Sequence, residues 1–164
     1  MKEAEDSAKL HARLLSNLEK AAALNSQGDK YRAEIDRLLK VVVVGGGPTG
    51  VELAAELAEF AQNDVAKRYG TNISDRIQII LVEALPRILG PFDEQLANVA
   101  KEHLISKGVE VRLGTAVTYV EGKDVTMQPS TPRNASPKQK AAAAAAAESE
   151  EMGALVSMNR ELSL

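Results

Sequence analysis

The feature that most constrains this chain is a run of four valines that ends in three glycines. Val41–Val44 is followed by Gly45, Gly46 and Gly47, and the segment reads V-V-V-V-G-G-G-P-T-G through to Gly50. A short β-branched run of this kind is typical of a buried parallel strand. Because glycines follow the valines and a helical pattern begins within the motif, the segment predicts a strand–turn–helix unit.

Apolar segments repeat this order further along the chain. The sequence predicts a helix over 51–67, a strand over 77–82, a helix over 93–108 and a strand over 109–113. The order strand, helix, strand, helix, strand requires parallel pairing with right-handed crossovers. We therefore expect an α/β fold, a Rossmann-like βαβαβ parallel sheet, with residues 116–127 forming a β-hairpin excursion.

A helical segment precedes this predicted sheet, and a polar segment follows it. Apolar residues recur at intervals of three and four from Met1 to about Ala23, which predicts an amphipathic helix, and a second short stripe covers 31–39. The predicted units are a helical segment over 1–40 that packs on the domain or on a partner, a dinucleotide-binding domain over 41–127, a low-complexity linker or insertion over 128–151, and a tail over 152–164 that could return as a strand.

Gly45, Gly47 and Gly50 occupy the three glycine positions of a G-x-G-x-x-G motif. In such a motif the first glycine makes a tight turn, the second lets the backbone approach a pyrophosphate, and the third lets the helix lie close to the strand. The N–H groups at the helix start then face the anion, and Pro48 stands where a missing N–H costs little. A sharp turn without a ligand is the alternative interpretation of these glycines.

An acidic residue at the end of the next strand is the second requirement for dinucleotide binding. Glu83 directly follows the predicted strand 77–82, and its carboxylate would accept hydrogen bonds from ribose hydroxyls. An acid followed by Ala84 rather than by arginine disfavours a 2′-phosphate, so the pattern favours NAD(H) over NADP(H), although Arg87 lies nearby in sequence. A solvent-exposed strand end is the alternative for Glu83.

Composition argues against several other functions. Aromatic residues make up 3% of the chain and its net charge is −3, so no nucleic-acid partner is expected. The chain has no cysteine, and His11 and His103 are isolated in sequence, so no metal site is predicted. No apolar run is long enough to predict a transmembrane segment, and no targeting signal is visible at the N-terminus.

The segment Val42–Leu57, V-V-V-G-G-G-P-T-G-V-E-L-A-A-E-L, resembles the NADH-binding fingerprint of type II NADH:quinone oxidoreductases. These are the single-chain alternative NADH dehydrogenases of bacterial and mitochondrial membranes, within the pyridine nucleotide-disulfide oxidoreductase-like flavoproteins. The resemblance covers about residues 1–127 and includes the segments 82–84, 88–89 and 92–93. Family members pass a hydride from NADH to FAD and then electrons to quinone, and their NADH domain is inserted within the FAD domain.

The resemblance implies a set of site residues. The residues implied to bind NADH are Gly45, Gly46, Gly47, Pro48, Thr49 and Gly50, with Glu83 on the adenosine ribose. Glu52 matches the family's glutamate that follows the fingerprint near the nicotinamide and flavin, which implies that it is a candidate catalytic residue. The alternative is that Glu52, like Glu56, is an ordinary exposed helix carboxylate.

The family's second, FAD-binding G-x-G-x-x-G motif is absent from this sequence. The first hypothesis is therefore an NADH-binding module that works with a separate FAD-bearing polypeptide and reaches quinone only through that partner. Such a chain would be an oxidoreductase only when complemented, and the resemblance would place it peripherally at the mitochondrial inner membrane.

Two other hypotheses stay open at this stage. The chain could be a non-catalytic accessory or structural subunit of a larger mitochondrial respiratory complex that retains a Rossmann-like fold. A stand-alone dinucleotide sensor or NAD-dependent dehydrogenase is a weaker reading, because no acid–base constellation supports it.

Overall fold

A computed structural model describes residues 4–121 and 124–130 of the chain. The predicted linker and tail, 128–151 and 152–164, lie outside the described residues apart from 128–130. The helices are α1 (Ala4–Asn25), α2 (Arg32–Leu38), α3 (Pro48–Phe60), α4 (Ala66–Tyr69), α5 (Thr71–Ser74) and α6 (Glu94–Ser106). The strands are β1 (Lys40–Val44), β2 (Gln78–Val82), β3 (Val109–Arg112), β4 (Thr115–Glu121) and β5 (Asp124–Pro129).

The first three strands form a parallel sheet in the order β1-β2-β3. Val43 of β1 is in register with Leu81 of β2, and Leu81 is in register with Val111 of β3. Strands β4 and β5 pair antiparallel in a separate two-stranded sheet, with a register shift between Val117 and Tyr119. The predicted α/β fold, with its parallel sheet, hairpin excursion and preceding helix, is confirmed.

One hydrophobic cluster joins the parallel sheet to α3 and α6. Because side chains alternate along a strand, one face of the sheet carries every second residue of each strand. The buried members of this cluster are Val43, Ala54, Leu57, Ala58, Ile79, Leu81, Ile88, Leu89, Ala97, Leu104 and Val109. The small alanines of α3 let that helix lie close to the sheet, as its sequence predicts.

A second cluster places α1 and α2 on the same domain. Its buried members are Leu18, Ala21, Ile35, Leu38, Leu39, Val65 and Ile73. The Asn17 side-chain amide adds a polar contact by donating to the Leu38 carbonyl at 3.1 Å. The amphipathic stripe of α1 therefore covers the start of β1 and the segment that follows α3.

Arg76 joins this helical region to the start of β2. Its guanidinium donates to one carboxylate oxygen of Asp36 at 3.0 and 2.8 Å, and to the Arg32 carbonyl at 2.9 Å. It also donates to the side-chain oxygen of Asn25 at 3.4 Å. One partly buried side chain, 40 residues beyond Asp36 in the sequence, thus connects α1 and α2 to the start of β2.

The helix after β1 differs from its predicted extent of 51–67. It begins at Pro48, which occupies the first turn, and it is interrupted by a π-helical turn over Ala61–Val65 before α4. A π-helical turn has one more residue between its hydrogen-bonded groups than an α-helical turn. Gln62 within it donates to the Lys107 carbonyl at 2.9 Å. The stretch 70–75, between the predicted helix and the predicted strand 77–82, contains the single helical turn α5.

The predicted start of α6 is confirmed by its cap. The Asp93 carboxylate accepts hydrogen bonds from the backbone N–H groups of Gln95 at 2.9 Å and Leu96 at 3.4 Å. These donors have no partner within the helix, so the cap stabilises its N-terminus.

Within the described ranges, no helix is both long enough and apolar enough to cross a membrane.

We expect Leu18→Ala to lower the free energy of unfolding by ~2–4 kcal/mol, because a buried leucine is truncated. Leu18 is 3% exposed in the cluster beneath α1, whereas Leu96 on α6 is 52% exposed. Leu96→Ala is therefore the matched control, with an expected change within ~1 kcal/mol. Urea unfolding of the full chain measures both. Equal effects would show that α1 does not share the core.

Candidate functional site

The glycine-rich loop, residues 45–50, connects the carboxyl end of β1 to α3. Its first residue, Gly45, donates its N–H to the Val82 carbonyl at 2.8 Å, which extends the parallel pairing of β1 with β2 by one step. Gly45 has a φ of 105°. This left-handed region favours glycine because a side chain would meet its own backbone. The chain turns away from the sheet at this point.

Gly50 lies in the first turn of α3, directly against Gly45. A Cβ at Gly50 would overlap the carbonyl oxygen of Gly45. Only glycine permits this contact, so the helix starts closer to the end of β1 than any other residue would allow. The close approach predicted from the sequence is present.

Gly47 immediately precedes α3, and its surroundings differ from those of Gly45 and Gly50. Its φ of −74° and ψ of 177° are accessible to any residue. Nothing lies within 4 Å of the position that its Cβ would take. Neither backbone strain nor packing among the described residues requires glycine here.

Pro48 and Thr49 form the exposed first residues of α3. Val51 donates its N–H to the Gly47 carbonyl at 3.0 Å, which closes the first turn. The backbone N–H groups of the residues before Val51 point out of the helix end, because no carbonyl precedes them in the helix. The positive end of the helix dipole adds to their attraction for an anion.

Gly46 is enclosed by the segment that follows β2. Its N–H donates to Glu83 Oε2 at 2.6 Å, and its carbonyl accepts from the Leu89 N–H at 2.7 Å. A Cβ at Gly46 would lie 2.8 Å from Cγ2 of Ile88 and 3.0 Å from Cβ of Glu83. Both backbone polar groups of Gly46 are thus bonded within the protein, and its contact with a cofactor stays a prediction.

Glu83 lies just past the end of β2, half-buried beside the glycine-rich loop. Besides the bond from Gly46, its carboxylate accepts the Leu85 N–H on Oε1 at 2.8 Å. A carboxylate offers about four acceptor positions, so these two bonds leave capacity for ribose hydroxyls. The structure therefore brings the predicted ribose acceptor and the predicted pyrophosphate loop together.

Glu52 is exposed on α3, as is Glu56 one turn later. Within the part of the chain that the structure describes, the Glu52 side chain makes no hydrogen bond to the glycine-rich loop. Its catalytic role stays a prediction. Among those same residues, no group of three or more acidic or histidine side chains is arranged to hold a metal ion.

Two residues of the site, Ile88 and Leu89, are not among the site residues predicted from the sequence. Ile88 and Leu89 enclose Gly46, and among the described residues Leu89 is the one non-glycine residue with a positive φ, 51°. Arg87, expected to weaken the preference against a 2′-phosphate, donates from Nη2 to the Gly90 carbonyl. The resemblance includes 88–89 and the Gly90–Pro91 pair indicates a turn, but neither signal indicates contact with Gly46.

Comparison with known proteins gives the site its context. The model of the pyridine nucleotide-disulphide oxidoreductase family matches residues 3–146. An external alternative NAD(P)H-ubiquinone oxidoreductase B3, mitochondrial, of Arabidopsis thaliana is 38% identical over 128 residues, which are 77% of this chain and 21% of the relative. The type II NADH:quinone oxidoreductase Ndh of Mycobacterium tuberculosis is 36% identical over 130 residues, 79% of this chain and 27% of the relative.

Solved structures agree with these sequence relatives. NDH2 of Plasmodium falciparum in complex with RYL-552 superposes with a TM-score of 0.72 at 30% identity, covering 82% of this chain and 26% of that one. The same enzyme in complex with NADH gives a TM-score of 0.69. The chain thus spans about a quarter of the length of these proteins. It belongs to the pyridine nucleotide-disulphide oxidoreductase family, has its Rossmann-like fold, and is homologous to the type II NADH:quinone oxidoreductases.

Proposed function

We propose that the chain binds NADH at the glycine-rich loop, as the NADH-binding module of a flavoenzyme similar to type II NADH:quinone oxidoreductases. The main observation behind this proposal is the open space beside Gly47, at a position where the backbone does not require glycine. Protein packing and backbone strain do not explain its glycine, because the space around its Cβ position is open and its backbone is extended. A pyrophosphate lying against the backbone does explain it.

The remaining groups of the site fit the adenosine half of a dinucleotide. The start of α3 supplies N–H groups of Thr49 and Gly50 to the pyrophosphate, together with the positive end of a helix of 13 residues. Glu83 retains acceptor positions for the ribose hydroxyls beside the same loop. The Plasmodium falciparum relative, solved in complex with NADH, supports the assignment of this ligand.

The nicotinamide of bound NADH supplies a hydride, and this chain's contribution is to hold and orient the cofactor. Glu52, exposed on α3 after the loop, is the candidate residue near the nicotinamide because it matches the glutamate that follows the fingerprint in the family. FAD and the route to quinone would be provided by polypeptide beyond the described residues or by a partner chain with an FAD domain. We further propose a peripheral location at the mitochondrial inner membrane, on the basis of the mitochondrial relatives.

A matched pair of glycine variants tests the dinucleotide site. We expect Gly47→Ala to weaken NADH binding by about tenfold or more, since its methyl group would occupy the space proposed for the pyrophosphate. Its stability should change by no more than ~1 kcal/mol, because the backbone geometry suits alanine. Calorimetric titration of the full chain with NADH and urea unfolding without NADH measure the two effects.

Gly46→Ala is the control for that pair. Its methyl group would press against Ile88 and Glu83, so we expect a loss of about 2 kcal/mol in unfolding free energy. If Gly47→Ala bound NADH as tightly as the unchanged chain, the open space beside Gly47 would not be the pyrophosphate site, and the main support for the proposal would be removed. Failure of the unchanged chain to bind NADH at all would reject the proposed function.

We expect the unchanged chain to bind NADH more tightly than NADPH by about tenfold or more, because the Glu83 carboxylate repels a 2′-phosphate. Competition titrations with the two cofactors measure the ratio, and Glu83→Gln should narrow it. Equal affinities for NADH and NADPH would contradict the assignment of Glu83 to the ribose.

A further inference from the structure

The segment after β2, residues 83–90, surrounds one residue of the glycine-rich loop. Three of its residues, Glu83, Ile88 and Leu89, contact that residue. That residue is Gly46, whose N–H is bonded to the Glu83 carboxylate and whose carbonyl is bonded to the Leu89 N–H. The Ile88 side chain, 1% exposed, covers the Cα. These contacts define both the position and the orientation of the Gly46 peptide groups.

The segment 83–90 is itself attached to the rest of the domain. The Glu83 carbonyl accepts from the Thr115 N–H at 3.0 Å, and the Leu85 carbonyl accepts from the Gly114 N–H at 3.0 Å. Ser130 donates its hydroxyl to the Ala84 carbonyl. The start of β4 and the end of β5 therefore support the backbone that carries the Glu83 carboxylate.

Leu89 shows that this arrangement is imposed by its surroundings. A leucine at a φ of 51° is in the left-handed region, which is unfavourable for a residue with a side chain. Such a conformation persists only where several contacts demand it. Here the Leu89 side chain is buried in the core. Its N–H donates to the Gly46 carbonyl, and its own carbonyl accepts from the Phe92 N–H at 2.8 Å.

We propose that Glu83 is a positioning residue for the glycine-rich loop, in addition to its proposed contact with the ribose. With the backbone of Leu89 it fixes Gly46, so that the adjoining Gly47 and the start of α3 are in place before a dinucleotide arrives. This inference rests on the proposed function. It implies that Glu83 governs affinity for the pyrophosphate part of a ligand, even when that ligand has no ribose hydroxyls.

The first experiment is amide hydrogen exchange of the full chain without nucleotide. We expect Glu83→Gln to accelerate exchange at the Gly46 N–H by roughly tenfold, because a charge-assisted hydrogen bond is replaced by a weaker one. The Leu81 N–H in β2 should be unchanged, which separates local opening from global unfolding. An unchanged Gly46 rate in Glu83→Gln would overturn the proposal.

The second experiment compares ADP with 2′,3′-dideoxy-ADP, which lacks the hydroxyls that Glu83 would contact. We expect Glu83→Gln to weaken binding of both nucleotides by roughly tenfold, with Glu102→Gln on the exposed face of α6 as the unaffected control. Weakening of ADP binding alone would leave the proposed function intact and overturn the positioning role. Absence of binding of either nucleotide to the unchanged chain would overturn both.

Glu83→Asp provides a second variant should Glu83→Gln fail to fold. It keeps the negative charge but shortens the side chain by one methylene, so it should not reach both the Gly46 and the Leu85 N–H groups. We expect faster exchange at Gly46 and weaker binding of dideoxy-ADP, as for the amide variant. Wild-type behaviour of Glu83→Asp in both measurements would contradict the positioning role.

Discussion

The contact between the start of α3 and the end of β1 determines the rest of this site. At Gly50 the helix lies so close to the Gly45 carbonyl that no side chain fits between them. The positive φ of Gly45 turns the chain into that contact, and Pro48 starts the helix directly after it. The first turn of α3 cannot move away from β1 without losing this packing. Its N–H groups therefore stay at the carboxyl end of the parallel strands, where Glu83 also lies.

Within that frame, neighbouring glycines are required for different physical reasons. Gly45 satisfies a backbone conformation, Gly50 a contact with the strand, and Gly46 a contact with residues that follow β2. Gly47 satisfies none of these, which is why the proposed ligand rests on it. Three of these glycines, Gly45, Gly46 and Gly50, thus determine the shape of the loop. The fourth, Gly47, leaves open space beside the loop.

Local chemistry explains what the sequence could predict. The valine run of β1, the alanine-rich face of α3 and the Asp93 cap depend on near neighbours in the chain, and the structure contains each of them. The hydrogen bond from Gln62 in the π-helical turn to the Lys107 carbonyl, and the bonds of Arg76 to Asp36, instead join segments distant in sequence. Neither the periodicity of apolar residues nor a short motif carries such information.

The bond between Gly46 and Glu83 spans 37 residues of sequence. The shape of the glycine-rich loop is therefore not encoded within the ten residues that identify it. Closing so long a loop costs conformational entropy, which the β1–β2 pairing and its covering helix offset. A short peptide with the same glycines would share the composition of the site and the flexibility of an unfolded chain. The binding geometry is a property of the folded domain as a whole.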